Sequence, residues 1–524
     1  MRTSDRAGSG RSAALVAIGI FCSKVAGLVR QRVFSHYFGL TASADAFTAS
    51  IRIPNLLNNL FGEGALSGSF IPVYAALVAR GEHEEADRVA GAVASLLALV
   101  VSGLVLVGVL ATPVLIEVIA PGFSGSTRQL AIVLVRILFP AVGLTVMSAW
   151  CLGVLNSHHR FLLSYAAPVI WNAAMIVTMI AFGAGRALPD LARILAWGSV
   201  VGSGLMVAVQ LPVVFRIAPH LKFALDTTSD HVRTVISNFT GVFLSRGVVQ
   251  VSGYIDTLLA TLVSTGATTA LMNAQTLYLL PVSLFGMSVS AAELPAMSGI
   301  AHGSESAERL RTRLGSGLRQ IAFFVVPSAV AFLTLGDVVA AAIFQTGRFT
   351  HADAVYVWGI LAGSAVGLLA STLGRLYAST YYALRDTRTP LRFAIIRVVL
   401  TTVLGYLFAI PLPRWIGIAP SWGAAGLTAS AGIAGWIEML LLRRTLTARL
   451  GATALSVGYV VRLWFAALTA AAVGWAVKLT FFPPNPILDA VVILIPYGLV
   501  FFAMTFALRI PEASTAFARL RRIR

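Results

Sequence analysis

Long apolar runs, broken at intervals by short polar and basic stretches, organise the whole chain. Gly91 to Ala120 holds one ionisable residue, Glu117, and Ile194 to Phe215 holds none. A helix crosses a bilayer core with ~20 apolar residues, and these runs reach that length. Alternation at a period of two is absent, which excludes a transmembrane barrel. Reading runs against breaks predicts fourteen spans, at roughly 13–36, 45–79, 88–119, 128–155, 162–184, 190–217, 233–262, 268–300, 310–334, 352–383, 390–411, 419–442, 456–479 and 487–508. The spans at 45–79 and 268–300 carry Pro, Gly and charge, so they are not expected to face lipid all round.

Composition sharpens this picture. Of 524 residues, 57% are hydrophobic and 11% charged, with a mean hydropathy of +0.84. Soluble domains carry about 25% charged residues. The fold class is therefore an all-α integral membrane protein. The net charge of +18 does not indicate nucleic acid, because the basic residues sit in short clusters between spans. Arg80/Arg88, Lys222/Arg233, Arg309/Arg311/Arg313 and Arg443/Arg444/Arg449 mark one set of breaks, and the alternate set is poor in Lys and Arg. The rich set belongs in the cytoplasm, which places both termini there and predicts the basic tail Arg519–Arg524 on anionic membrane lipids. No cleavable signal peptide is expected after the short basic lead. Cys22 and Cys151 lie in apolar surroundings and read as small packing residues.

A weak internal repeat runs through the chain. Phe70-Ile71-Pro72 with Ala86-Asp87-Arg88 is echoed by Glu293-Leu294-Pro295 with Ala307-Glu308-Arg309, and Ala120-Pro121-Gly122-Phe123 by Thr346-Gly347-Arg348-Phe349. Such a repeat predicts two six-helix lobes in pseudo-twofold relation. The expected division is 1–220 (spans 1–6), 221–447 (spans 7–12), and 448–524 for two extra spans and the tail.

Charge inside spans is the chemical pointer, since a buried charge in a membrane usually faces an interior cavity. The first span carries Lys24, Arg30 and Arg32, with Ser23, Gly27 and Arg30 on one helical face. Arg30 and Arg32 are also placed to snorkel to the interface. The second span carries a polar stripe of Arg52, Asn55, Asn59 and Glu63, preceded by Asp45, which equally suits an N-terminal cap. Arg52 and Glu63 lie ~16 Å apart along a helix and cannot pair directly. Arg246 and Asp256 fall in the seventh span, and Gln275 and Thr276 in the eighth. Glu117 and Glu293 read as solvated span ends, and His158-His159 as a solvated turn. No phosphate loop with its Lys, no HExxH and no His/Cys ligand cluster is present, so the reading is a transporter without catalytic residues, metal or cofactor. Its driving force would be an ion gradient or the membrane potential, worth ~2.3 kcal/mol per charge per 100 mV.

Several motifs add a resemblance. Ser23-Lys24-Val25-Ala26-Gly27-Leu28-Val29-Arg30, Ala44-Asp45-Ala46-Phe47 with Ile53-Pro54-Asn55-Leu56-Leu57, and Glu63-Gly64-Ala65 with Ser69-Phe70-Ile71-Pro72 are the first. Leu155-Asn156 with Arg160-Phe161, Phe344-Gln345-Thr346-Gly347-Arg348-Phe349-Thr350 and Asp386-x-x-Thr389-Pro390 follow. Together they cover nearly the whole chain, which resembles the MurJ/MviN family of the MOP exporter superfamily. The resemblance implies fourteen helices in two lobes plus two, in a bacterial inner membrane. It implies translocation of lipid II for peptidoglycan synthesis, cell-wall biogenesis and cell shape, with the cell-wall synthesis machinery as a partner.

The resemblance carries the family's cavity residues onto Lys24, Arg30, Asp45 and Glu63, with Lys24 in place of a usual arginine. On that reading Lys24 and Arg30 bind the diphosphate, with Arg52, Asn55, Asn59 and Arg246 as further candidates. Asp45, Glu63, Asp256, Gln275 and Thr276 then shape the gate or cavity. Two departures stand out. Asn58-Asn59 occupies the family's basic pair, and Gln275-Thr276 its Asp-Arg. They leave open a relative that moves another polyprenyl-linked glycan, or an ion-coupled multidrug exporter of the same superfamily.

Overall fold

The computed structural model describes residues 2–300, 306–481 and 485–514; the side chains of 2–18, Glu63, 241–242, 244–252 and Ser306 lie outside that description. Among the described residues the chain is helical almost throughout, as the span pattern requires. Eleven helices are long and apolar enough to cross a membrane, and a bent pair makes a twelfth. The remaining two predicted spans, 13–36 and 233–262, fall partly on side chains outside the description.

The chain divides into two compact units, Met1–Thr268 and Thr269–Arg524. The first holds α1 (Arg2–Phe38), α2 (Ala42–Phe61), α3 (Glu63–Ala79), α4 (His83–Leu110), α5 (Thr112–Ile119), α6 (Gly125–Ser157), α7 (Phe161–Phe182), α8 (Leu188–Ile217) and α9 (Asp230–Val263). Its core lies around α6, which packs on α2, α4 and α8 and brings Leu134, Leu138, Phe139 and Trp150 out of solvent. The Trp150 indole, fully buried, donates its N–H to the Ala90 carbonyl at 3.1 Å, so the burial leaves no donor unmet. Large apolar residues of α4 and α5 instead stay exposed, among them Leu106, Val107, Leu110 and Val118. In a bilayer this is the lipid-facing side, where hydrocarbon replaces a protein partner.

In the first unit, helix breaks fall inside two predicted spans, although 42–79 still counts as one span long and apolar enough to cross a membrane. The one at 45–79 stops at Gly62 between α2 and α3, and the one at 88–119 stops at Ala111 between α4 and α5. At Gly62 the N–H still bonds the Asn58 carbonyl at 2.7 Å, and a Cβ there would lie 2.3 Å from that same oxygen. Glycine allows the chain to turn without losing that bond.

A linker closes the first unit. His220 donates its N–H to Asp87 at 3.0 Å, Arg88 pairs with Asp226 at 2.7 Å, and Ser229 donates to Glu85 at 3.0 Å. The segment between α8 and α9 is thereby fastened to the first turns of α4. The Thr228 hydroxyl and N–H, with Arg88, hold the Asp226 carboxyl down at about 2.

The second unit holds α10 (Ala267–Pro281), a π-helical turn Val282–Met287, α11 (Ser288–Ile300), α12 (Ser306–Phe344), α13 (His351–Val366), α14 (Leu368–Ala383), α15 (Arg388–Ala409), α16 (Pro411–Trp415), α17 (Gly423–Leu450), α18 (Val457–Thr480) and α19 (Pro486–Ala507). The predicted span at 352–383 is the bent pair α13 and α14, which meet at 41°. Helix α12 starts earlier and ends later than the predicted 310–334, and it kinks at Leu335. Kinking frees carbonyls that a membrane interior would leave unpaired. Side chains meet them. Trp358 donates to the Phe332 and Leu333 carbonyls and Trp475 to Thr334 at 2.9 Å; further back in the same helix, Tyr497 donates to the Pro327 carbonyl at 2.6 Å. Trp475 and Tyr497 belong to α18 and α19, so this pair of helices is fixed to α12 by named hydrogen bonds. Lys478 adds an ion pair to Asp337, itself largely buried.

Candidate functional site

Helix α1 packs along α7 and places Arg30 over the Trp171 ring, 5.1 Å from its centroid. Arg30 is half-buried, and among the described residues its Nε has no hydrogen-bond partner. Its guanidinium therefore meets a π-face, with Nε buried beside it. Lys24 is exposed, ~9 Å of helix rise before Arg30. The structure shows no contact joining the two.

Helix α2 divides its polar stripe. Arg52 turns to α9, where it donates to the Gly253 carbonyl at 3.2 Å and to the Thr257 hydroxyl. Tyr254 donates back to the Arg52 carbonyl. Asn55 and Asn58 instead border a cavity of about 230 Å³ walled by α2, α6, α7 and α8. Asn59 is exposed and does not border it. Pro54, inside α2, lies in the same wall.

Asp45 is not the cap of α2. Thr41 occupies that position and accepts from the Ala44 N–H at 3.3 Å. The Asp45 carboxylate, buried at 2% exposure, accepts from the Gly266 N–H at 2.5 Å. Gly266 sits at φ +87 in the turn after α9, and Leu40 approaches it so closely that a Cβ would meet it at 3.0 Å. The turn thus needs glycine both for its left-handed backbone and for space.

The other candidates are dispersed. Asp256 is half-buried on α9, beside Thr257. Gln275 and Thr276 are half-buried on α10 of the second unit, and the Thr276 hydroxyl donates to its own helix at the Met272 carbonyl, 2.9 Å away. Arg246 and the Glu63 side chain lie outside the described residues, as does the tail Arg519–Arg524.

Three readings of peripheral charges need correction or detail. Glu293 is not simply solvated, since it pairs with Arg313 at 2.5 Å. Glu117 pairs with Arg128 at 3.1 Å while remaining exposed. His158 is half-buried against Tyr74, its Nε2 3.0 Å from the phenol oxygen, and this burial holds its pKa below the usual range.

Sequence reasoning missed Ser148, Trp171 and Gln210. Ser148 donates to Gln210 at 2.9 Å, and the Trp171 indole donates to Ser199 at 3.1 Å. Their signal was an uncharged polar residue inside an apolar run, which a search for ionisable groups passes over.

A helical bundle of bilayer-spanning length, with a cation stacked inside its first unit and a polar chamber between helices, defines a multi-pass membrane transporter. Its fold has solved counterparts. One described as "Lipid II flippase MurJ, inward closed conformation" matches with a TM-score of 0.76 and 24% identity, over 95% of this chain and 99% of that one. An inward-facing multidrug resistance transporter of the MATE family, in the MOP superfamily, matches with a TM-score of 0.66 and 17% identity, over 83% and 98%.

By sequence, the family model described as "Lipid II flippase MurJ" matches residues 34–497. The lipid II flippase MurJ of Burkholderia cenocepacia is 30% identical over 80% of this chain and 80% of its own length. The chain belongs to the MurJ lipid II flippase family, whose members are transporters rather than enzymes.

Proposed function

We propose that this protein carries lipid II, the polyprenyl-diphosphate-linked peptidoglycan precursor, from the cytoplasmic to the outer leaflet by alternating access. The observation that carries the reading is the family match running from residue 34 to residue 497, which leaves no lobe of the bundle outside it. The six-plus-six repeat supports two lobes that move against one another, with lobe boundaries near 220 and 447. The charge pattern of the connecting segments supports cytoplasmic termini.

In this reading Arg30 is the principal diphosphate contact. Its guanidinium is delocalised, permanently charged and held over the Trp171 ring. Lys24, exposed on the same helix, is a mobile second cation that meets the anion on entry. Arg52 contributes positive potential while its donors serve α9. Asn58 at a family-basic position makes the site less cationic, so Arg30 bears more of the anion's charge. The hydrocarbon tail runs beside α18 and α19, and the cycle draws on the membrane potential or an ion gradient, with no cofactor.

The test is rescue of a bacterium depleted of its own lipid II flippase, with insertion of this protein verified in the same cells. Growth with lipid II accessible at the outer leaflet is the expected result. A well-inserted protein that leaves lipid II inside while exporting another polyprenyl-linked glycan, or a cationic drug, would overturn the substrate assignment.

A further inference from the structure

Arg30 differs from other cations placed inside the spans. Arg397 pairs with Glu438 at 3.0 Å and Lys478 with Asp337, so those two charges are cancelled where they stand. Among the described residues no carboxylate pairs with Arg30, and its Nε has no hydrogen-bond partner. The group lies instead over the Trp171 ring, 5.1 Å from the centroid. A π-face attracts a cation through its quadrupole and carries no net charge of its own. The contact therefore seats the guanidinium without cancelling its charge. A long side chain loses rotamer freedom when an anion orders it, and an arginine already seated on a ring has less to lose.

The ring is itself fixed from behind. Its indole N–H donates to the Ser199 hydroxyl at 3.1 Å, and Ser199 is 3% exposed on α8. Three residues on, buried Gly202 packs against the same side chain: a Cβ there would lie 3.1 Å from Trp171 Cδ1 and 3.3 Å from its Cα. Residues three apart share a helix face, so one face of α8 supplies both the acceptor and the close contact that place the indole. Helix α7 packs on α8 and α1 on α7. The contacts run in series across the three helices: Ser199 and Gly202 orient Trp171, and Trp171 orients Arg30.

We propose that Trp171 is a positioning residue for anion binding, fixed by Ser199 and Gly202 of α8, and that it presents the Arg30 charge to the diphosphate of the lipid-linked substrate. The proposal rests on the flippase reading above, in which Arg30 is the diphosphate contact. It gives α8 a part in the anion site through residues that carry no charge.

The experiment uses the full chain in lipid nanodiscs and two probes, undecaprenyl diphosphate and the uncharged undecaprenol. Affinities and thermal unfolding are measured for the unaltered protein, Trp171→Leu, Trp171→Phe, Ser199→Ala, Arg30→Ala, and each Trp171 and Ser199 variant combined with Arg30→Ala. Trp171→Leu is expected to weaken diphosphate binding roughly 10-fold, the order of one desolvated cation–π contact, and to leave undecaprenol unaffected. Trp171→Phe should retain most of the affinity, because it keeps a π-face, and Ser199→Ala should weaken the diphosphate alone and by less than Trp171→Leu. In the Arg30→Ala background none of these changes should have a further effect, since a residue that acts through another is silent without it. Should Trp171→Leu fail to fold, Ser199→Ala carries the same comparison. Equal weakening of both probes, losses that add to that of Arg30→Ala, no recovery in Trp171→Phe, or full diphosphate affinity in the folded variants would overturn the proposal and leave the flippase reading standing. Full diphosphate affinity in Arg30→Ala would overturn the placing of the diphosphate on Arg30 and the proposal with it.

Discussion

Arg52 of α2 donates to the Gly253 carbonyl of α9 across 3.2 Å, and the neighbouring Tyr254 hydroxyl donates back to the Arg52 carbonyl. The contact is reciprocal: each helix supplies a side-chain donor and a backbone acceptor. A residue that reads in the sequence as an anion ligand is thereby also a fastening between two helices of the first unit.

Arg52→Ala is expected to lower the thermal stability of the purified protein, by roughly 1–3 kcal/mol for the donors removed from a low-dielectric site. Arg52→Lys should recover part of it, since a point charge replaces the fork but cannot reach both acceptors. Unfolding curves in detergent read this. Unchanged melting with weakened lipid binding would assign Arg52 to the ligand and not to α9.

Asp45 and Gly266 should behave as one unit. Asp45→Ala leaves a buried N–H unmet, and Gly266→Ala forces a left-handed backbone on a residue with a Cβ, each costing about 1–3 kcal/mol. The double variant is expected to lose less than the sum, because the second change acts on a turn already released. A double-mutant cycle that adds strictly would show the two residues to be independent.

Asp386, from the Asp-x-x-Thr-Pro motif, accepts from the Thr389 N–H at 3.0 Å, the Thr389 hydroxyl at 2.8 Å and Arg449 at 2.8 Å. The Thr389 N–H first, then the Thr389 hydroxyl and Arg449, hold its pKa below the usual carboxylate value against a smaller opposing effect of burial. Its stabilising contribution is therefore fully present above the unfolded value of about 3.9 and is lost as pH falls through the lower folded one. Melting temperature followed from pH 6 downwards should fall less steeply in Asp386→Asn than in the unaltered protein. Parallel curves would mean that the start of α15 does not depend on this carboxylate.

Lys478 and Asp337 form an ion pair with side-chain exposures of 25% and 8%. Removing one partner strands the other, so Lys478→Met or Asp337→Leu alone is expected to cost roughly 3–5 kcal/mol, and the two together much less. The readout is unfolding of the single and double variants side by side. Single variants as stable as the parent would show that water already reaches the pair.

Much of the fold was legible because bilayer length and hydropathy constrain helices strongly. Where the structure adds to the sequence, backbone events intervene: Gly62 divides a run that still spans as one, Ala111 ends α4 inside an apolar run, and the kink at Leu335 hides in an apolar stretch. The site was legible only where charge marked it. Arg30, Arg52 and Asp45 stood out, but their partners Trp171, Thr257 and Gly266 come from distant segments and carry no charge to announce them. The stripe on α2 shows the same limit. Helical spacing puts Arg52, Asn55 and Asn59 roughly in line, yet Arg52 turns to α9, Asn55 borders the chamber together with Asn58, one residue off the stripe, and Asn59 does not.

The linker between α8 and α9 bears on how this protein is handled. Its anchors at Asp87, Arg88 and Glu85 come from the first turns of α4, so the segment is part of the first unit's end surface rather than slack chain. The middle of the linker, 222–225, is exposed and can be reached by a protease, but an insertion that pulled on the anchors would disturb the start of α4, and its phenotype would report on α4. The turn at Gly183–Ala187 between α7 and α8, exposed at Ala184 to Ala187, is the better place to label the molecule without disturbing it.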